Sequence, residues 1–208
     1  MNKLLTNEDR KAYEPLIKDM FVKCPAMMSR KIKEANVQQA FVVDSVLKLI
    51  KASSNKDINI LCVGSYEDTD FEYLKTLGVK MESMDPELNV DLHTFKDTNT
   101  KKWDIVFSTS VLEHVEDDEL FVKDICELLN DSGTAVLTCD FKEGYKVGDP
   151  LIQSDFRFYT QDDLNVRLND IIKSYGCELV SEPLWAGSPD FFFAGFAYNF
   201  ATWVFKKV

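Results

Sequence analysis

The chain has 208 residues, 45% hydrophobic and 28% charged, a size and composition that suit one globular domain with its own core. Its formal net charge of −11 argues against a nucleic-acid partner and favours a cationic or neutral small-molecule ligand. Five scattered cysteines lack CxxC or Cys/His spacing, so no metal site is expected. The absence of a signal-like or bilayer-length apolar stretch points to a reducing, cytoplasmic setting without a membrane partner.

The first segment, with Tyr13, Phe21, Pro25 and Met27-Met28, reads as a helix plus a loop. Ala40, Val43, Leu47 and Ile50 recur at helical spacing and predict a helix over 33–51. From residue 58 strand and helix alternate. Ile58–Val63 is an apolar run ending at Gly64, as expected of a buried parallel strand. Phe71, Leu74 and Leu77 mark a helix closed by Gly78. Val79–Met84 and Asp104–Thr109 read as strands, 117–130 as a helix, Asn130–Gly133 as a stop, and Thr134–Cys139 as the next strand. Thr160 caps a helix carrying Leu164, Leu168, Ile171 and Ile172. Cys177–Ser181 and Phe196–Phe205 are two strands without a helix between them, so they should pair antiparallel. The expected fold is α/β: a mostly parallel sheet flanked by helices, with an antiparallel strand near one edge. The aromatic run Phe191–Phe193 with Phe196, Tyr198 and Phe200 is assigned to core or to a subunit interface, which leaves a homodimer open.

In such sheets ligands bind beyond the carboxyl ends of the strands, which selects Gly64–Asp70, Asp85–Asp91, Ser108–His114 and Asp140–Gly148. All four are polar stretches following apolar strands. Gly64-Ser65 allows close approach of a ligand to the backbone. Asp85, 21 residues after Gly64, suits ribose hydroxyls, though it also suits a turn cap before Pro86. A glycine-plus-acid pattern fits a nicotinamide dinucleotide equally, but Glu67, Asp68 and Asp70 would repel its pyrophosphate at the helix start. A sulfonium- and ammonium-bearing cofactor is the better electrostatic match. The same acids also complement a helix dipole.

At these residues the chain resembles the class I S-adenosylmethionine-dependent methyltransferases, in particular their type-11 branch. The resemblance rests on ILCVGSYEDTDFEYLKTLG (60–78), MESMDPELNVDL (81–92) and, most specifically, WDIVFSTSVLEHVEDDELFVKDICELLNDSGTAVLTCDF (103–141). It implies a Rossmann-like methyltransferase fold, S-adenosyl-L-methionine as cofactor, one domain over 1–208 with a catalytic core over 55–208, and an N-terminal helical segment over 1–52 acting as a substrate lid. It further implies that Gly64, Ser65 and Glu67 face the methionine part, Asp85 the ribose and Asp91-Leu92 the adenine, while Ser108, Thr109 and Ser110 line the pocket floor. One departure stands out: where the family has an acid and two further glycines, this chain has Cys62, Tyr66 and Asp68. VGSYED, DFRFYT (155–160) and FAYNFATWVF (196–205) together are similar to a subgroup associated with surface polysaccharides, which implies a sugar-like acceptor.

Methyl transfer to a hydroxyl needs in-line alignment and a general base. His114, with a reference pKa near neutrality, and Asp140, after the next strand, are the competing catalytic candidates; His93 is assigned to a surface loop. Arg157, Tyr145 and Tyr159 are the substrate-binding candidates, with a structural Asp155–Arg157 pair as the alternative for the arginine. The rivals are an NAD-dependent oxidoreductase and a non-catalytic, methyltransferase-like binding subunit.

Overall fold

A computed structural model describes residues 1–55 and 57–208. In chain order the elements are β1 (Leu4–Leu5), α1 (Asn7–Ala12), α2 (Glu14–Lys23), α3 (Pro25–Met28), α4 (Asn36–Ala52), β2 (Ile60–Val63), α5 (Thr69–Thr76), β3 (Glu82–Met84), α6 (Leu92–Thr98) and β4 (Trp103–Thr109). They continue with α7 (Asp118–Leu128), β5 (Leu129–Phe141), α8 (Leu168–Ser174), β6 (Cys177–Leu179), β7 (Phe191–Phe193) and β8 (Phe196–Lys207). A 3-10 turn, Leu112–His114, follows β4, and a π-helical stretch, Asp163–Arg167, leads into α8.

The sheet runs β1-β8-β5-β4-β2-β3, with β6 and β7 also pairing with β8. β3, β2, β4 and β5 are mutually parallel. β8 is antiparallel to β5 over Thr134–Phe141 and to β6 over Cys177–Leu179, as the missing crossover helix requires. Alternation along the strands sends side chains to two separate cores. Leu61, Val63, Val106, Leu137 and Trp203 pack with Phe121, Ile125, Leu168 and Ile172 of the α7–α8 layer. Ile60, Cys62, Phe107, Val136 and Val204 pack with Val37, Phe41, Val43 and Leu74 of the α4–α5 layer. Apolar burial on both faces explains why these strands read as continuous apolar runs.

Several boundaries differ from expectation. The second parallel strand is only Glu82–Met84, its first residues being spent on the turn after Gly78. The expected break at Asn130–Gly133 is instead a kink inside β5. Ser132 adopts φ +65° there, and a Cβ on Gly133 would lie 2.7 Å from the Trp103 carbonyl. The ladder with β4 shifts register at the same place and continues. At the N-terminus a strand precedes the helices: Leu4-Leu5 pairs with Ala201 and Phe200 of β8. The Asn2 side chain secures it by accepting from the Val204 N–H at 2.6 Å and donating to the Val204 carbonyl at 3.0 Å. Phe191–Phe193 forms a hairpin with Phe196–Tyr198; of the aromatic run Phe191, Tyr198 and Phe200 are buried, Phe196 is half-buried, and Phe192 and Phe193 are exposed.

Asp118, the first residue of α7, ties the helices of one face together. Arg167 grips it with two bonds of 3.0 and 2.8 Å, Arg157 approaches to 3.2 Å, and the Tyr159 hydroxyl donates to it at 2.9 Å. Burial pushes its carboxyl up, but the Arg167 hydrogen bonds and the charges of Arg167 and Arg157 overcome this and hold it below the usual value. Asp118→Ala would leave Arg157 without its counter-charge and Arg167 with only Asp163 at 2.9 Å and Glu119 at 3.8 Å. The expected cost is about 2–3 kcal/mol, less than for a fully buried pair because Arg167 is partly exposed. A thermal scan should show it as a fall of about 5–10 °C. Since the folded carboxyl titrates below its unfolded value near 3.9, this contribution is present above that pH and disappears as acid takes the pH through the folded value.

Candidate active site

The strand order reverses between β2 and β4: the chain goes from β2 to its neighbour β3 on one side, then to β4 on the other. The crevice such a reversal leaves at the strand ends is the expected ligand position. A cavity of about 630 Å³ opens there, within the usual range for small-molecule sites.

One wall is the loop after β2. Gly64 takes φ +83°, and a Cβ on it would lie 2.4 Å from Cγ2 of Val111, so glycine is required on two grounds. The N–H groups of Gly64 and Ser65 both point to the Met84 carbonyl, fastening the ends of β2 and β3 together. Asp85 braces the same junction: its carboxylate accepts from the N–H of Tyr66 and of Glu87, each at 2.9 Å, while it lines the cavity. Each oxygen keeps a further lone pair, so capping and ligand binding are compatible. Asp68 caps α5 by accepting from the Phe71 N–H at 2.7 Å and also lines the cavity. Burial raises its carboxyl to about 6.

The opposite wall follows β4. Thr109 donates to Asp70 at 2.5 Å, linking the two walls, and leaves the other Asp70 oxygen buried without a partner. Ser110 adopts φ +55°, a left-handed conformation that non-glycine residues occupy only when the surroundings impose it. Its N–H is held by Thr138 of β5 at 3.2 Å, and its hydroxyl donates to Glu113 at 2.5 Å. Asp91 caps α6 through the Thr94 N–H at 3.0 Å and, with Leu92, closes the far end beside Met84 and Phe121.

The structure therefore gathers Gly64, Asp85, Asp91, Leu92, Thr109, Ser110 and His114 around one cavity. Ser65 and Ser108 lie buried beneath its lining. Glu67 is turned away: its φ of +53° directs it to an ion pair with Arg30, and Asp68 faces the cavity in its place. Tyr66, at the position of an expected glycine, lines the mouth with half its surface exposed, so its bulk does not fill the interior. Lys31 and His93 line the cavity without having been anticipated. Nothing in the sequence near Lys31 signalled it; His93 is the second residue of α6, two positions after its Asp91 cap, and pairs with Asp124 at 3.1 Å.

Beyond the cavity wall the substrate candidates separate. Arg157 is committed to Asp118, not to Asp155, and Tyr159 is fully buried with its hydroxyl on the same carboxylate. Neither lines the cavity. Tyr145 packs against Phe158 at 5.8 Å between ring centres, outside the cavity lining. Asp140 is buried at the end of β5 with one oxygen unpartnered. Burial and the nearby charges of Glu113 and Asp155 raise its carboxyl well above the ordinary value. His114 bonds Asp155 at 3.2 Å and the Ser154 carbonyl at 3.0 Å. The Asp155 bond outweighs desolvation and lifts the imidazole to about 9, so it is a cation at neutral pH.

Two predictions follow from this geometry. Gly64→Ala should destabilise the protein by about 1–3 kcal/mol through strain and the Val111 clash. Combining it with Val111→Ala should recover part of that loss in a double-mutant denaturation cycle. The His114 imidazole should titrate near 9 by NMR, and Asp155→Asn should bring it back toward about 6.5. Its raised value means that the pair's stabilisation is complete below the unfolded pKa near 6.5 and is lost as pH climbs through the folded value.

Comparison with known proteins places this architecture. No curated protein matches the chain in sequence. Magnesium protoporphyrin IX methyltransferase from Synechocystis PCC 6803, solved with bound SAH, is similar at a TM-score of 0.55 and 14% identity, covering 94% of this chain and 100% of that one. TehB from Haemophilus influenzae is similar at a TM-score of 0.51 and 13% identity, over 79% of this chain; the match spans 62% of TehB's length. The [4+2]-cyclase SpnF is similar at a TM-score of 0.50 and 10% identity, with 82% of each chain covered. At these identities the likeness is one of fold. A family model described as "Methyltransferase domain" matches residues 34–182, well over half of the sequence, and the chain belongs to that methyltransferase family.

Proposed function

We propose that the chain transfers the methyl group of S-adenosyl-L-methionine to a small hydroxylated, sugar-like acceptor, with oxygen as the methylated atom. The observation that carries this reading is the composition of the cavity at the β2/β4 reversal. Among the described residues, Asp68, Asp85, Glu87, Asp91, Asp117 and Asp124 line it, with Lys31 as the one lysine. That donor set fits a ligand bearing a sulfonium, an ammonium and a single carboxylate, and it opposes a dinucleotide pyrophosphate. Asp85 would hold the ribose hydroxyls, Met84, Leu92 and Phe121 the adenine, and Asp68 with the backbone at Gly64 the methionine end. When bound, the cofactor supplies a methyl carbon activated by a good, neutral leaving group.

What this chain must add is alignment and a place for the acceptor's proton. His114, already protonated at neutral pH, is assigned to orienting the acceptor. Asp140 is the group we assign to receive the proton, because it is buried at the end of β5 with one oxygen free of any partner among the described residues. The N-terminal segment contributes the lid that keeps water out. Lys31 lines the cavity, Gln38 bonds Ser110 at 3.3 Å, and Arg30 clasps Glu67. On this reading 1–208 works as one catalytic unit. The SpnF fold likeness keeps a non-methylating activity, or a purely binding role, as the alternative. No helix among the described residues is long and apolar enough to cross a membrane.

A thermal scan with S-adenosylhomocysteine in about 100-fold excess over its Kd should raise the melting temperature by about 5–10 °C, and NAD should not. A shift with NAD alone, or with neither ligand, would sink the cofactor assignment. Asp85→Asn should weaken homocysteine-product binding about tenfold by calorimetry, the loss of one charge-assisted hydrogen bond.

A further inference from the structure

Just behind the cavity wall lies a group of buried oxygens that the fold itself leaves unused. Ser110 and His114 both line the cavity, and each reaches back to a carboxylate: Ser110 to Glu113, and His114 to Asp155. Glu113 is 1% exposed and the Asp155 side chain 2%. In each, the second oxygen has no hydrogen-bond partner among the described residues. A third such oxygen belongs to Gln38 of α4, which is fully buried. Its amide nitrogen donates to the Ser110 hydroxyl at 3.3 Å, the same hydroxyl that donates to Glu113, and its carbonyl oxygen is left free. The backbone joins the two acids as well, the Phe156 N–H donating to the Glu113 carbonyl at 2.8 Å.

Buried acceptors without donors are costly, and native proteins leave few of them unless a ligand or water completes the set. The free atoms of Glu113, Asp155 and Gln38 are all oxygens, so what these three residues lack is a donor. The charges agree. Two carboxylates face one imidazolium, so one negative charge is uncompensated when both are ionised. The nearby cations are engaged elsewhere: Arg157 pairs with Asp118 and donates to the Glu116 carbonyl, leaving only its Nε without a partner among the described residues, and Lys31 lies toward Asp68 and Asp70. By contrast Asp118, whose role is structural, has two arginines and no orphaned oxygen.

We propose that the acceptor carries a primary amine as well as its hydroxyls, and that Glu113, Asp155 and Gln38 form the socket for its ammonium group. A primary ammonium has three N–H donors, matching the three free oxygens, and its charge neutralises the pair of acids against His114. The socket lies on the Ser110–His114 side of the cavity, across from Asp85 and Asp91, which leaves the cofactor's place clear. It adjoins Asp140, so an ammonium seated there holds the neighbouring hydroxyl near the group assigned to take its proton. This inference rests on the methyl-transfer reading for the identity of the site as an acceptor site, but the socket's preference for amines does not depend on it.

The experiment compares protonated amines with their neutral acetylated counterparts. Glucosamine against N-acetylglucosamine and ethanolamine against N-acetylethanolamine are scanned for thermal shifts, in large excess, with the free protein and again with S-adenosylhomocysteine present. At least one amine should raise the melting temperature by about 2–4 °C, as for a ligand at a few times its Kd, while its acetylated form does not. Glu113→Gln, which keeps size and hydrogen-bonding shape, should abolish that preference; Asp155→Asn serves as the second variant should the first not fold. Equal shifts from amine and amide, no shift from any amine, or a preference that survives in the variant would each overturn the socket. The scan with S-adenosylhomocysteine alone reports separately on the methyl-donor reading, so either idea can fail while the other stands.

Discussion

Thr109, Ser110 and Val111 form the turn on which the candidate site depends. Thr109 is bonded across the crevice to Asp70 at the start of α5, Ser110 to Thr138 of β5, and Val111 lies against Gly64 where any side chain would collide. Three consecutive residues thus fix the ends of β2, β4 and β5 relative to one another. The reversal of strand order guarantees a crevice; this turn decides what lines it. The left-handed conformation of Ser110 costs on the order of 1 kcal/mol or more, and its three hydrogen bonds, to Thr138, Glu113 and Gln38, hold it in place. Those same bonds connect the cofactor side of the cavity to the acids behind it.

Acids are used in two physically different ways in this molecule. Asp118 is met by Arg167, Arg157 and Tyr159, stays ionised, and joins α7 to the approach of α8. Asp68, Asp70, Glu113 and Asp140 are just as buried but lack an arginine, and burial raises each of them. A fold that needed only stability would pair these groups or replace them with apolar ones. Their concentration on the cavity walls and immediately behind them is the pattern expected where stability yields to binding and catalysis.

The parallel strands were legible because burial on both faces leaves an unbroken apolar run, as in Ile60–Val63 and Ala135–Leu137. β1 was not, since two leucines show no period; what makes them a strand is Asn2 bonding to Val204, 202 positions away in sequence. At the site, Gly64, Asp85, Asp91 and Ser110 were legible from topology alone, because residues at strand ends have only one place to be. Glu67 misled because spacing cannot show that a left-handed turn sends it to Arg30. Arg157 and Tyr159 misled for a related reason: their local setting beside Asp155 gave no hint that Asp118 claims both. The orphaned oxygens of Glu113 and Gln38 could not be seen in sequence at all, since they are defined by partners that are missing.

The two catalytic candidates named from sequence are both pushed toward their protonated forms, with different consequences for an imidazole and a carboxyl. Asp155 makes His114 hold its proton, which removes it as a base at neutral pH but leaves a fixed positive charge beside Glu113. Asp140 meets the same field: burial first, and then the neighbouring charges of Glu113 and Asp155, oppose its ionisation and raise its carboxyl. In the free protein this works against Asp140 as a base. An ammonium seated between Glu113 and Asp155 changes that, because an opposite charge a few ångströms away favours the ionised carboxyl. On the amine-socket proposal, the acceptor's own charge prepares the base that its hydroxyl needs. A neutral analogue of the same shape would lose binding and rate together.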